Sequence, residues 1–294
     1  MLPNFFVAGA QKCATTSLHM HLAGHPQIYL PRIKETKHFA LDERYEKGMT
    51  YYETTFFGDW NSEKAVGEVD PDYIYFETVP ERMAAHLDMS ALKFIFIFRN
   101  PVDRAFSHYL MTYRRGLEPL TFSQAVDAER ERIAKDQAAR LHYSYVDRGF
   151  YAAQLERFLT YVSPDRMLLL LTEDLKADPQ AVMKTCFSFI GVDTRHTPGQ
   201  MTVRHHQAYL PKSLRFFKAV TGKEDNFFKK IGRYCIPSPA VRQWIRDTMV
   251  KLNQTDKPYL TLDSATRRRL QQIYAPHNDK LGKWMKRDLS HWNT

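Results

Sequence analysis

The sequence predicts a three-layer α/β fold with a central, mostly parallel sheet flanked by helices and a helical C-terminal third. Three observations carry this. Short apolar runs alternate with helical patterns along the first two thirds of the chain, which is the signature of β-α-β units. One of them, Lys93-Phe-Ile-Phe-Ile-Phe98, is continuously apolar rather than alternating, as a strand buried on both faces requires. Beyond Thr194 the strand signal fades and helical patterns remain.

Parallel strands are predicted at Phe5 to Ala8, Ala65 to Glu68, Lys93 to Phe98 and Met167 to Leu171. Helices are predicted at Thr15 to Ala23, Val79 to Leu87, Val102 to Arg115, Phe122 to Lys135, Tyr151 to Tyr161 and Ala181 to Ile190, then at Ala240 to Leu252 and Asp263 to Lys286. No internal repeat or low-complexity segment divides the chain, and 294 residues with 44% hydrophobic content suit one domain, 1–294.

Two strand-to-helix junctions carry chemistry. Gly9 to Leu18, GAQKCATTSL, follows the first apolar run and opens a helix. A strand, a tight loop and a helix N-terminus surround one point with backbone N–H groups and the positive end of the helix dipole, which suits a phosphate. Lys12 lies in the turn, and Thr15, Thr16 and Ser17 add hydroxyls in the first helical turn. The loop is not Gly-x-x-x-x-Gly-Lys-[Ser/Thr], because Lys12 follows no second glycine. At the second junction, Arg99 and Asn100 emerge from the apolar strand, Pro101 opens the next helix, and Ser107 follows two turns later. Ligands of open parallel sheets sit outside the carboxyl ends of the strands, where both junctions lie.

With these two motifs in place, the chain resembles the sulfotransferases that use 3′-phosphoadenosine 5′-phosphosulfate (PAPS), a family with a P-loop-like fold. Gly9 to Leu18 resembles the family's 5′-phosphosulfate loop, and Arg99-Asn100-Pro101 through Ser107 its 3′-phosphate motif. The likeness implies that Lys12, Cys13, Ala14, Thr15, Thr16 and Ser17 cradle the 5′ end and that Arg99 and Ser107 hold the 3′-phosphate. A guanidinium fork suits a terminal phosphate. Lys34-Glu35-Thr36-Lys37-His38-Phe39 is similar to the segment that carries the catalytic Glu in the heparan sulfate type. Lys47 to Trp60, Gly67 to Met83, Arg148 to Leu159, Met167 to Leu175 and Asp178-Pro179 extend the match in the same order.

By this resemblance Glu35 is the first choice for general base and His38 its competitor, since another branch of the family uses a His. Lys12 neutralises the departing phosphate oxygen, Lys37 contacts the substrate or sulfate, and Asp70 and Tyr73 serve the acceptor side. Arg204 and Lys212 fall where related bacterial enzymes close a loop over the nucleotide. The donor is PAPS and the product PAP (3′-phosphoadenosine 5′-phosphate), with no metal required.

Two departures stand out. Cys13-Ala14 occupies a place where the family commonly has Gly-Gly, which narrows the backbone's approach yet leaves its N–H donors in place. Val69 stands where the heparan sulfate enzymes carry a Lys, and the loss of a cation there argues against a polyanionic glycan. The expected acceptor is therefore a small molecule such as a natural product, sulfated on oxygen or nitrogen. A glycan or lipid-linked sugar is the alternative within the class, and a P-loop-like small-molecule kinase the alternative outside it.

Composition sets the limits. The net charge of +9 is compatible with nucleic acid or a membrane surface, and equally with a site for a multiply charged anion; no nucleic-acid partner is expected. Cys13, Cys186 and Cys235 have neither metal nor CxxC spacing, as expected of a reducing compartment. Relatives in the Golgi carry a late disulfide, for which only Cys186 and Cys235 qualify here. Cys13 stands at a helix start, a position that lowers a thiol pKa. His19, His21 and His25 do not converge on one helix face, so they read as packing or surface residues. No leader-like segment precedes the first strand and no apolar run approaches membrane-spanning length, so the expected location is cytoplasmic without membrane insertion.

Overall fold

A five-stranded, all-parallel sheet organises the chain, in the order β2-β3-β1-β4-β5. The computed structural model describes residues 1–197 and 260–294, together with Leu210–Pro211, Thr248 and Gln254–Thr255. The strands are β1 (Phe5–Gly9), β2 (Ile28–Tyr29), β3 (Ala65–Val69), β4 (Lys93–Phe98) and β5 (Met167–Leu171). All four predicted strands form within a residue of their expected ends. The two-residue β2 has too few apolar positions to register as a run.

The aromatic strand β4 shows why the core sits where it does. Its even positions share one face: Phe94 and Phe96 meet Phe158 of α8 (Tyr151–Leu159) with ring centroids 5.4 and 5.2 Å apart, and Phe98 lies 4.7 Å from Tyr151. Side chains alternate across a strand, so Ile95 and Ile97 face the opposite layer. Every residue of β1 and β3 is buried, as befits central strands covered on both faces. The register pairs Phe6 with Glu68 and Phe94, so the carboxyl ends of β3, β1 and β4 lie side by side.

Helix α1 (Thr15–Ala23) follows β1, and α2 (Asp42–Tyr45) and α3 (Gly48–Phe57) lie between β2 and β3. Then come α4 (Thr78–Ala84), α5 (Pro101–Arg114), α6 (Phe122–Ile133), α7 (Gln137–Tyr143) and α8; α9 (Thr172–Ala177) and α10 (Pro179–Ile190) follow β5. Near the C-terminus α11 (Ser264–Met285) is the long helix expected there, while the helix predicted over Ala240 to Leu252 lies outside the described residues except at Thr248. Among the described residues, no helix is long and apolar enough to cross a membrane.

The described residues fall into two compact units. One, residues 1–105, 145–197 and 267–294, contains the sheet. The other contains residues 106–144 and 260–266 and includes α6, capped by a reciprocal Thr121–Gln124 box, and the Arg132–Glu118 ion pair at 2.7 Å. The short β6 (Leu210–Pro211) and β7 (Gln254–Thr255) pair antiparallel within this second unit.

Two glycines are required by close approach. A Cβ on Gly9 would stand 2.5 Å from the Ile74 side chain, and one on Gly67 would enter the Phe5 ring. Gly67→Ala is therefore expected to lower the unfolding free energy by about 1–3 kcal/mol through overpacking, read as a reduced urea midpoint at unchanged m-value.

Candidate active site

At the C-terminal end of β1 the chain turns through Lys12 and Ala14, both left-handed at φ 70° and 65°. Ala14 then caps α1 without a side-chain hydrogen bond, and no acidic residue stands in the first turn. The first-turn N–H groups of a helix have no carbonyl of their own helix to meet, so this end presents donors and positive dipole without an internal counter-charge. Thr15 and Ser17 are buried and Thr16 is exposed. The Cys13 N–H donates back to Ala10 O at 3.2 Å. This corrects the expectation that every loop donor stays in place for a ligand, because the turn consumes that one.

The next strand end is that of β4. Arg99 is half-buried there, and among the described residues no acidic side chain pairs with its guanidinium. Asn100 caps α5, its Oδ1 accepting from the Val102 N–H at 3.0 Å. Ser107 lies farther along α5, half-buried, in the second unit. Arg204 and Lys212 fall outside the described residues.

On the other side of β1, the residues at the end of β3 grip the Glu35 loop. The Glu35 N–H donates to Val69 O at 3.3 Å, the Lys37 N–H to Asp70 Oδ2 at 2.7 Å, and the Thr36 hydroxyl to Glu68 Oε1 at 2.5 Å. Three consecutive loop residues are thus held by three consecutive residues at and just beyond the strand's end. Glu35 and Lys37 take left-handed backbone at φ 65° and 59°, a conformation that costs a non-glycine residue about 1–2 kcal/mol. Of the six non-glycine residues at positive φ among those described, four lie in this loop and the Lys12 loop.

The Glu35 carboxylate is bracketed by Lys34 Nζ at 2.6 Å and Lys37 Nζ at 3.3 Å. Burial works against its charge, but Lys37 and Lys34 overcome that and hold its pKa below the usual carboxylate range, so it is ionised at neutral pH. Lys34 and Glu35 also act on the His19 imidazole of α1, whose pKa falls to about 4 through burial first and the charge of Lys34 second. The Glu35 loop and α1 are therefore electrostatic neighbours.

Beneath Glu35 lies a buried acidic ladder that sequence reasoning named only in part. Glu68, Asp70 and Asp72 are all 0% exposed. Glu68 receives the hydroxyls of Thr36, Tyr52 and Tyr73. Asp72 pairs with Lys37 and with Arg148, itself buried with its guanidinium 4.1 Å above the Tyr75 ring. Burial and then the charge of Asp70 push the Glu68 carboxyl up to about 7; Asp70 also rises through burial, against the pull of Lys37. For Asp72, burial is outweighed by Arg148 and Lys37, and its pKa falls well below the usual range. Lys37, whose burial is likewise outweighed by Asp70 and Asp72, stays charged.

Asp70 and Tyr73 thus spend their polar atoms inside the protein. Tyr52, Phe56, Phe57, Tyr75 and Phe76 are also buried, so the rings around the acidic ladder belong to the core. His38 is 1% exposed and stacked on Tyr52 at 4.4 Å, with burial and the charge of His86 lowering its pKa to about 4. Burial pushes the Cys13 thiol up to about 11, correcting the expectation that its helix start lowers it. Cys186 is buried and free, whereas Cys235 lies outside the described residues. Among the described residues no His, Cys, Asp and Glu cluster could hold a metal ion.

A family model described as "Sulfotransferase domain" matches residues 2–286. The bifunctional heparan sulfate N-deacetylase/N-sulfotransferase 2 of Mus musculus is 32% identical over 204 residues, covering 65% of this chain and 22% of that protein. Heparan sulfate N-deacetylase/N-sulfotransferase 3 of Homo sapiens is 27% identical over 293 residues, covering 96% of this chain. The chain spans 22% and 30% of the length of these two curated relatives. A sulfotransferase crystal structure from Alicyclobacillus acidocaldarius is 26% identical, covers 100% of both chains and superposes with a TM-score of 0.71.

The ladder makes stability pH-dependent with a definite sign. Glu68 is easier to protonate in the folded protein than in the unfolded chain, so its contribution is complete below pH 4.5 and is lost as pH rises through about 7. Urea titrations at constant ionic strength should show Glu68→Gln declining less than wild type across that interval.

Proposed function

The chain belongs to the sulfotransferase family, and from that premise we propose that it moves a sulfuryl group from PAPS to a hydroxyl or amine of a small-molecule acceptor, with residues 1–294 acting as one domain. The observation that carries this is the pairing of two anion-ready ends on adjacent strands. The uncapped, acid-free N-terminus of α1 follows β1, and Arg99 stands at the tip of β4. A nucleotide with phosphates at its 5′ and 3′ positions matches such a pair, and the donor set of N–H groups, hydroxyls, Lys12 and Arg99 suits phosphate rather than a metal.

The donor substrate supplies the sulfuryl group and a bisphosphate leaving group. In this reading the first-turn donors of α1 orient its 5′ end and Arg99 anchors its 3′-phosphate. Glu35, ionised and at the neighbouring strand end, takes the acceptor's proton as the acceptor's oxygen or nitrogen bonds to sulfur. The bridging S–O bond breaks, and Lys12 neutralises the charge left on the phosphate oxygen. Lys37 and the ladder hold Glu35 in place, and His38, buried and neutral, takes no part. Asp70 and Tyr73 support the loop rather than touch the acceptor.

The small-molecule preference is supported by the buried, uncharged Val69 at the end of β3, which offers a polyanion no cation. The names of the curated relatives favour a second reading, an amino-sugar glycan acceptor.

Lys12→Ala and Glu35→Gln are each expected to lower kcat/KM by about 100-fold or more, with Glu35→Gln binding PAP at least as tightly as the unsubstituted protein in calorimetry, since it removes a negative charge from the lysines beside the site, and with turnover persisting in EDTA. Radiolabelled PAPS offered with a metabolite pool and, separately, with N-deacetylated heparan sulfate identifies the acceptor. Label confined to the glycan overturns the small-molecule preference, and binding of Mg-ATP without response to PAP overturns sulfuryl transfer itself.

A further inference from the structure

The two anion-ready strand ends are tied to each other by side chains that neither of them contributes. Thr172, the residue after β5, is 3% exposed, and its hydroxyl lies 3.2 Å from Cys13 O and 2.9 Å from Phe98 O. A hydroxyl has one proton, so it is shared between the two carbonyls, one in the Lys12 loop and the other beside Arg99. Tyr151, the first residue of α8, is 1% exposed and donates its phenolic O–H to Arg99 O at 3.0 Å. The Cys13 sulfur sits 3.6 Å from the same phenolic oxygen, and the Phe98 ring 4.7 Å from the Tyr151 ring. A direct bond, Ala10 N–H to Ile97 O at 2.9 Å, joins the same strand ends one step deeper.

Each brace therefore bonds the residue after Lys12 on one side and the residue at or just before Arg99 on the other. Backbone groups so fixed have little freedom to spread or close, because both hydroxyls are buried and have no water to exchange with. Burial also keeps Cys13 and Tyr151 protonated far above neutral pH, so the hydrogen-bond order does not change across the working range.

We propose that Tyr151 and Thr172 are positioning residues that set the spacing between the 5′ and 3′ phosphate sites, and so determine selectivity for a bisphosphorylated adenosine over a monophosphorylated one. This rests on the proposed donor nucleotide. A ligand with one phosphate uses one site and is indifferent to the spacing. A ligand with both pays for any mismatch.

Calorimetric titration of the full chain with PAP and with AMP tests this. Tyr151→Phe, which keeps the ring against Phe98, and Thr172→Val are each expected to weaken PAP binding by about five- to tenfold while leaving AMP affinity within about twofold, and Thr172→Ser should restore PAP binding. In an Arg99→Ala background the same substitutions should cost PAP nothing, since only the 5′ site remains. Equal weakening of PAP and AMP, or a penalty that persists without Arg99, overturns the proposal and leaves these residues as supports of the fold. If Tyr151→Phe does not fold by circular dichroism, Thr172→Val and Thr172→Ser carry the same test. Failure of the underlying donor assignment looks different, because the unsubstituted protein would then bind PAP no better than AMP.

Discussion

Burying three carboxylates within five residues, at Glu68, Asp70 and Asp72, is the constraint to which the β3 end of this sheet is built. An uncompensated charge in a protein interior is costly enough that it must be paired, hydrogen-bonded or protonated. Each acid uses a different remedy. Glu68 gathers three hydroxyls and moves toward its protonated form, Asp70 accepts backbone N–H groups, and Asp72 takes two cations. The groups that answer this demand come from the Glu35 loop, from α3 and from the turn before α8. Satisfying the charges therefore draws these segments onto the end of β3, and the left-handed backbone at Glu35 and Lys37 is held there by the same bonds.

The parallel sheet does the equivalent work for the Lys12 loop and Arg99. With β1 between β3 and β4, three strand ends emerge in a row, and each delivers one piece: the Glu35 clasp, the Lys12 loop and Arg99. None of these residues is near another in sequence. Their proximity follows from strand order, and the Tyr151 and Thr172 hydroxyls bond to residues at the ends of both β1 and β4 or beside them.

The strands and most helices were legible because their apolar patterns are local. The continuous run of β4 announces burial on both faces without any knowledge of its neighbours. The two strand-to-helix junctions read as anion-binding places because of the residue types that stand there, whereas the Lys34-Glu35 segment, by its residues alone a charged loop, is singled out only through its resemblance to the family. The ladder was half visible in Glu-Val-Asp-Pro-Asp, whose alternating acids look like a solvated or ligand-facing strip. What made them interior groups was the arrival of Arg148 and Lys37 from distant positions, which spacing alone does not encode. The same holds for Tyr151 and Thr172, which read as ordinary residues at the start of a helix and the end of a strand. Their partners are backbone carbonyls, and a carbonyl leaves no mark in a sequence. Cys13 misled for a related reason: the helix-end effect is local and visible, whereas the desolvation that outweighs it depends on neighbours far along the chain.

A carboxylate clamped between two lysines is at first sight a poor base, since the attraction that keeps Glu35 ionised also weakens its hold on a proton. Under the proposed function the resolution lies in what the lysines do when an anionic nucleotide arrives. Lys34 and the Glu35 carboxylate that Lys37 also brackets sit beside α1, as the depressed pKa of His19 records. Negative charge brought to that helix end shares the lysines' field, and whatever attraction Glu35 loses appears as increased basicity. The carboxylate would thus be held ready and weak in the empty site and strengthened by the charge that makes transfer possible. That coupling needs Lys37 to remain where it is, and its anchors are Asp70 and Asp72 rather than Glu35 itself. The buried acids below the loop therefore secure the cation, and the cation in turn sets the proton affinity of Glu35.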